Sequence, residues 1–165
     1  MNRAEKAFVT SSRSISRSAP SIVTATSIVT SQLTVQTRGK GFVDLTSEVA
    51  KFIREAGAKE GAVTLFIRHT SASLTIQENA DPSVLADLQT ALSRLAPENA
   101  GWTHDTEGPD DMPAHIRTML TQVSLQIPVV GGEMVLGTWQ AIYLIEHRVR
   151  PHRREVVLQF IGAPK

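Results

Sequence analysis

Polar and apolar residues alternate over residues 31–37, with Leu33 and Val35 on one side and Thr34 and Gln36 on the other, which predicts a strand. Arg38-Gly39-Lys40-Gly41 follows as a turn. The period then changes. Val49, Phe52, Ile53 and Ala56 recur at helical spacing, predicting a helix capped by Thr46 or Ser47, with Glu48 in its first turn and Gly57 at its end. Residues 62–68 are apolar and β-branched, a strand that delivers His69-Thr70-Ser71. Leu74 and Ile76 alternate with Ser73, Thr75 and Gln77 in the next strand. Asp81-Pro82 opens a second helix, since aspartate accepts orphan backbone N–H groups and proline suits the first turn. Its stripe is Leu85, Leu88, Leu92 and Leu95, and Pro97 stops it.

Ile116, Met119, Leu120 and Val123 predict a short helix running into a strand that continues through Leu125 and Ile127. Gly131-Gly132 marks a hairpin, from which a long strand returns with Trp139, Ala141, Tyr143 and Ile145 on one face. Residues 148–154 form a basic turn, and Val156, Leu158 and Phe160 close the sheet. Strands outnumber helices and do not repeat as βαβ units. The pattern predicts an α+β fold, a single compact domain with a largely antiparallel β-sheet sandwich and two to three helices.

The first 28 residues break this pattern. They hold seven serines and four basic residues against one acid, Glu5, with no sustained apolar period. That composition suits an organelle transit peptide and a floppy extension equally. We read residues 1–28 as a flexible Ser/Arg-rich extension and 29–165 as the domain. Across the 165 residues the net charge is +1 and aromatics are 5%, so neither a global basic field nor stacking platforms point to nucleic acid. There is no cysteine, which removes disulfides, thiolate metal sites and cysteine nucleophiles. No apolar run approaches the roughly 20 residues of a membrane span. A soluble, cytoplasmic protein is expected.

The candidate chemistry centres on residues 104–115, His-Asp-Thr-Glu-Gly-Pro-Asp-Asp-Met-Pro-Ala-His, four carboxylates between two histidines. Like charges crowded on a loop repel, and a metal ion or an arginine-rich neighbour would relieve them. A solvated acidic loop is the plainer alternative. Asp110 or Asp111 is expected to cap the helix that carries His115. His69, at a strand end, fits a ligand, a general base or a simple hydrogen-bonding residue. Asn79 could orient a substrate through its amide, whereas Asp81 is explained as a cap. Gly137 interrupts a strand beside Gln140, which could reach a cleft. Glu146-His147-Arg148 leads into Arg150, Arg153 and Arg154, a cluster suited to phosphate or, more plainly, to protecting a sheet edge.

Taken in order, His69-Thr-Ser-Ala-Ser-Leu-Thr75, Glu78-Asn79-x-Asp81-Pro82, His104-Asp-x-Glu-Gly-x-Asp-Asp-Met-Pro-x-His115-Ile and Gly137-Thr-Trp-Gln-x-Ile142 with Glu146-His-Arg148 resemble the YjbQ family, also called secondary thiamine-phosphate synthases. The resemblance covers residues 31–162. It implies a YjbQ-like homotrimer with sites near subunit interfaces. It also implies a weak thiamine phosphate synthase activity, joining a hydroxymethylpyrimidine pyrophosphate to a thiazole phosphate with release of pyrophosphate. The family's polar motif residues fall on His69, Asn79, Asp81, His104, Asp105, Glu107, His115, Gln140 and Glu146. The expectation built on it is that His69, His104 and His115 converge on a divalent cation, Mg or Zn. Asp105 or Glu107 would assist, Asn79 and Gln140 would orient the substrate, Glu146 would belong to the catalytic set, and Arg148 would meet phosphate. The competing expectation is a trimeric, non-catalytic module that binds a small phosphorylated metabolite.

Overall fold

Every strand pairing among the described residues is antiparallel in the structure, a computed structural model that describes residues 15–164. The chain runs β1 (Ser27–Gln36), β2 (Gly41–Asp44), α1 (Thr46–Glu55), β3 (Ala58–Ile67), β4 (Ala72–Glu78), α2 (Pro82–Leu95), α3 (Asp111–Leu120), β5 (Ser124–Val130), β6 (Glu133–Met134), β7 (Gln140–Glu146) and β8 (Arg153–Pro164). Five strands form one sheet in the order β1-β8-β3-β5-β6, and three form a second, β2-β7-β4. Sheet pairing begins at Ser27, and residues 15–26 carry no helix or strand. Residues 1–14 of the expected extension lie outside the described residues, and its last two, Ser27 and Ile28, already belong to β1.

The alternating residues of the larger sheet turn inward as the period-two pattern requires. Val63, Leu65 and Ile67 of β3, Leu125, Ile127 and Val129 of β5, and Val156, Leu158 and Phe160 of β8 join one core with Leu74 of β4 and Ile142 and Leu144 of β7. Helix α1 adds Val49, Phe52 and Ile53 to that core. Gly57, at φ +60°, ends the helix in the left-handed conformation that glycine adopts without strain. The α1 cap departs from expectation: Leu45 holds the cap position, and the Asp44 carboxylate accepts from the Thr46 N–H at 2.8 Å. The Thr46 hydroxyl instead accepts from the Ile142 N–H at 2.9 Å, which ties the helix to β7. Asp81 caps α2 as expected, accepting from the Ser83 N–H at 2.8 Å.

A larger correction concerns the last third of the chain. The long returning strand does not exist. β6 lasts only two residues, and the chain then leaves the larger sheet through residues 135–139 and enters the smaller one as β7. The Gln140 side chain folds back to accept from the Gly137 N–H at 2.8 Å, which stabilises that crossover. The expected helix carrying His115 is α3, which begins at Asp111, so Pro113 falls in its first turn, where its missing N–H has no partner to lose.

β3 and β8 cross where Gly61 stands opposite Gly162. A side chain on Gly162 would place its Cβ 2.8 Å from the Gly61 Cα and 2.6 Å from the Phe160 ring. Gly162→Ala should therefore cost about 1–3 kcal/mol, the usual penalty for overpacking. Urea unfolding measures it, and a loss below a few tenths of that would mean the strands can move apart freely.

Candidate metal centre

At its C-terminal end β7 passes into a turn, residues 147–152, before the chain returns as β8. The turn is not a solvated basic tip, because Arg148 and Arg154 are buried at 7% and 4% exposure. Arg148 reaches into the acidic loop. Its Nε donates to Asp110 Oδ2 at 3.2 Å, one Nη donates to Asp111 Oδ1, and the other donates to the Glu107 carbonyl at 2.9 Å. The Val149 N–H adds a bond to Asp110 Oδ2 at 2.8 Å. Burial alone would raise the Asp110 pKa, yet the Val149 amide and the Arg148 guanidinium together hold it below the ordinary aspartate value. Asp110 holds the α3 cap position without a side-chain cap bond, because its carboxylate is committed to this turn. The arginine neighbour that the loop called for is thus Arg148. Its donors go to two carboxylates and a backbone carbonyl of the protein, not outward to the phosphate expected of it.

Asp111 has a different task. Its Oδ2 lies 3.0 Å from His104 Nε2 and its Oδ1 lies 3.6 Å from His115 Nε2. One ligand atom from each of His104, Asp111 and His115 can be chosen so that all lie within 4.8 Å of one another, and the two imidazole centroids are 5.4 Å apart. His115 Nδ1 donates to the Thr70 carbonyl at 2.9 Å. A nitrogen facing a carbonyl must carry the proton, so in the neutral ring it is Nε2 that offers a lone pair to the cluster. Asp111 was expected only as a cap. The signal that would have found it is its spacing, since it stands four residues before His115 on the same face of α3. Asp105 and Glu107 lie exposed beside the cluster, and Glu107 Oε2 is 3.5 Å from Arg148.

His69 does not join that group. Its Nε2 accepts from the Glu155 N–H at 2.9 Å, and Nδ1 lies 3.5 Å from an Arg154 nitrogen. Burial first, and the Arg154 charge second, hold this imidazole below its ordinary pKa. The expected convergence of three histidines is therefore two histidines and an aspartate, because the backbone of β8 occupies the lone pair of the third. Arg154 belongs to a neighbouring buried pair: Glu146, at 0% exposure, accepts from Arg154 Nε and Nη at 2.7 and 2.6 Å, from the Thr37 hydroxyl at 2.9 Å and from the Arg148 N–H at 3.0 Å. With four donors on two oxygens, Glu146 has no free lone pair facing solvent.

Asn79 and Gln140 lie elsewhere. In the register of the smaller sheet Ala72 faces Glu146 while Glu78 faces Gln140, so the two amides sit at the opposite end of β7. Gln140 and Glu146 are the two ends of a seven-residue strand, roughly 20 Å apart at the usual rise. The motif residues thus divide between the two ends of one sheet.

His147, given no role of its own in the sequence, is completely buried, and its Nε2 lies 2.8 Å from the Ser73 hydroxyl. Ser73 is 2.7 Å from the Thr121 hydroxyl, which bonds the Arg117 carbonyl at 2.7 Å. Only an order in which Nε2–H donates to Ser73, Ser73 to Thr121 and Thr121 to the carbonyl uses every proton once.

Fold and site together define a class: a two-sheet antiparallel α+β domain with a His₂Asp cluster where the helix after the acidic loop meets the end of the smaller sheet. A family model described as "UPF0047 protein YjbQ-like" matches residues 31–163, and the chain belongs to this YjbQ/UPF0047 family. It is 50% identical over 131 residues to a UPF0047 protein of Synechocystis, covering 79% of this chain and 89% of that one. It is 38% identical over 131 residues to the UPF0047 protein YjbQ of Escherichia coli O157:H7, with 79% and 95% covered. Among solved structures, a yjbq/upf0047 family protein of Clostridium acetobutylicum superposes with a TM-score of 0.73 at 35% identity, covering 78% of this chain and 98% of that one. A conserved hypothetical protein of Thermus thermophilus gives 0.70 at 38% identity, with 78% and 97% covered. Among the described residues no helix is long and apolar enough to cross a membrane.

Proposed function

We propose that this chain is a divalent-metal-assisted enzyme acting on a small phosphorylated substrate, with His104, Asp111 and His115 as the protein ligands. One observation carries the reading: two imidazole nitrogens and a carboxylate oxygen within 4.8 Å, drawn from a loop and a helix. The donor set fits an ion. His115 has its other nitrogen fixed by a backbone carbonyl, as metal-ligating histidines do. Two imidazoles suit zinc or another transition ion better than magnesium, which prefers oxygen. The carboxylates of Glu107, Asp110 and Asp111 around the single Arg148 leave two negative charges unmatched by protein, as a divalent cation would require.

The reaction we assign is the one the family resemblance implies. The thiazole nitrogen attacks the pyrimidine methylene, the C–N bond forms, and pyrophosphate leaves with the electron pair of the broken C–O bond. A bound ion would supply charge neutralisation on the pyrophosphate. His104 and Asp105 border an adjoining cleft of about 350 Å³ with Asn99, Trp102 and Pro109, room for a substrate ring beside the cluster. At the same turn Arg150 is exposed, and it replaces Arg148 as the guanidinium open to phosphate. In this reading the protein works in the cytoplasm as a homotrimer. The second reading, a binding module without turnover, is favoured by the complete engagement of Glu146 and Arg148 with protein partners.

Metal analysis and an assay with the two thiamine precursors decide between them. The purified protein should hold stoichiometric transition metal, and a chelator or the double variant His104→Ala, His115→Ala should remove it. Product formation should fall by about a hundredfold with the metal. Unchanged metal content in the double variant would remove the ion from the account. Tight precursor binding with no product would favour the module.

A further inference from the structure

A second cavity lies by the C-terminal end of α3, and we infer that it binds an uncharged planar ring bearing an amide-like edge. It occupies about 260 Å³ between the outer face of the smaller sheet and helix α2. The helix does not pack down on that face, and none of its residues is buried. It is tied at its C-terminal end instead, where the buried Arg117 donates to the Leu92 and Ala96 carbonyls at 3.3 and 2.8 Å. Leu88 and Leu92, from the apolar stripe, consequently face a gap. Such a space is large enough for several waters, but waters against leucine find few hydrogen-bond partners and are readily displaced by an apolar ring.

The walls specify the ligand. Leu88, Leu92 and Leu120 supply apolar surface from the helices, and Phe42 and Ile145 supply it from the sheet. Thr75 and Gln77 lie on this face of β4 because they alternate with Leu74, which turns into the core. Thr121 and Gln122 border the cavity at the α3–β5 link. The two carboxamides and the Thr75 hydroxyl offer both donors and acceptors, whereas the Thr121 hydroxyl is committed to Ser73 and the Arg117 carbonyl. No Asp, Glu, Lys, Arg or His lines the cavity, so a charged ligand would lose its hydration with nothing to replace it. Apolar walls with a few neutral polar groups are the usual make-up of a small-molecule site.

Three probes of similar size separate the terms: benzamide, which is neutral with an amide edge, benzoate, which is charged, and toluene, which has no polar edge. Leucine-methyl NMR on the full chain should show benzamide shifting Leu88, Leu92 and Leu120, with benzoate and toluene roughly tenfold weaker, the loss expected for one unmade hydrogen bond or an unmatched charge. Leu92→Trp, which fills the space, should abolish the benzamide response. Gln77→Leu should reduce benzamide to the level of toluene while leaving toluene unchanged, and it keeps the test open should the tryptophan variant fail to fold. Absence of benzamide shifts at millimolar concentration, an equal response to benzoate, or indifference to Gln77→Leu would overturn the assignment.

Discussion

Arg154→Met should lower the unfolding free energy by about 3–5 kcal/mol, because it strands the Glu146 carboxylate in the interior without its cation. Glu146 is 0% exposed and takes two of its four hydrogen bonds from Arg154. Burial alone would push the Glu146 pKa up, but Arg154, the Arg148 N–H and the Thr37 hydroxyl outweigh it and hold the group below its ordinary value of 4.5. A carboxyl depressed on folding contributes stability above its unfolded pKa and loses it as pH falls through the folded one. The wild-type protein should therefore weaken below about pH 4.5, and the Arg154→Met protein should show less of that loss. Urea unfolding at neutral and acid pH measures both. Glu146→Gln separates a structural carboxylate from a catalytic one: stability should fall, while activity per folded molecule should hold. A loss below 1 kcal/mol for Arg154→Met would mean that the pair is hydrated, contrary to its burial.

The second large effect is an acid sensitivity that starts at a higher pH. Burial, reinforced by the nearby Arg117 charge, pushes the His147 ring down to about 3 from an ordinary 6.5. Between those values the unfolded chain binds a proton that the folded one refuses. Stability is thus complete above pH 6.5 and should fall by roughly 1.4 kcal/mol for each pH unit below it. The interval from 6.5 to 4.5 lies above the Glu146 range and isolates the histidines. His69 is shifted in the same direction, so the comparison to make is with His147→Gln, which should start less stable but have a shallower slope. Equal slopes in the two proteins would show that His147 accepts its proton while folded.

These two effects rest on residues that the sequence presented as neighbours without ranking them. Glu146, His147 and Arg148 are consecutive, yet each has a different partner: Arg154 and Thr37 for the first, Ser73 for the second, Asp110 and Asp111 for the third. Thr37 is 109 positions from Glu146, and Asp111 is 37 from Arg148. No local rule reaches that far. The acidic loop was recognisable as needing a cation, and the structure supplies Arg148, which reaches both Asp110 and Asp111, while Asp111 also lies between two imidazoles.

What the chain determined by itself is the set of local structures. Period-two alternation placed β1, β4, β5 and β8, helical spacing placed α1 and α2, and Asp81-Pro82, Gly57 and Gly131-Gly132 marked their ends, because each of these depends on backbone geometry over a few residues. The family motifs were legible for the same reason, being runs of adjacent residue types. Tertiary structure alone decided that the chain changes sheets at Gly137, that Asn79 and Gln140 lie at the far end of β7 from His104 and His115, and that the lone pair of His69 is taken by a backbone amide. Strand order fixes those distances, and strand order follows from which faces bury one another across the whole fold.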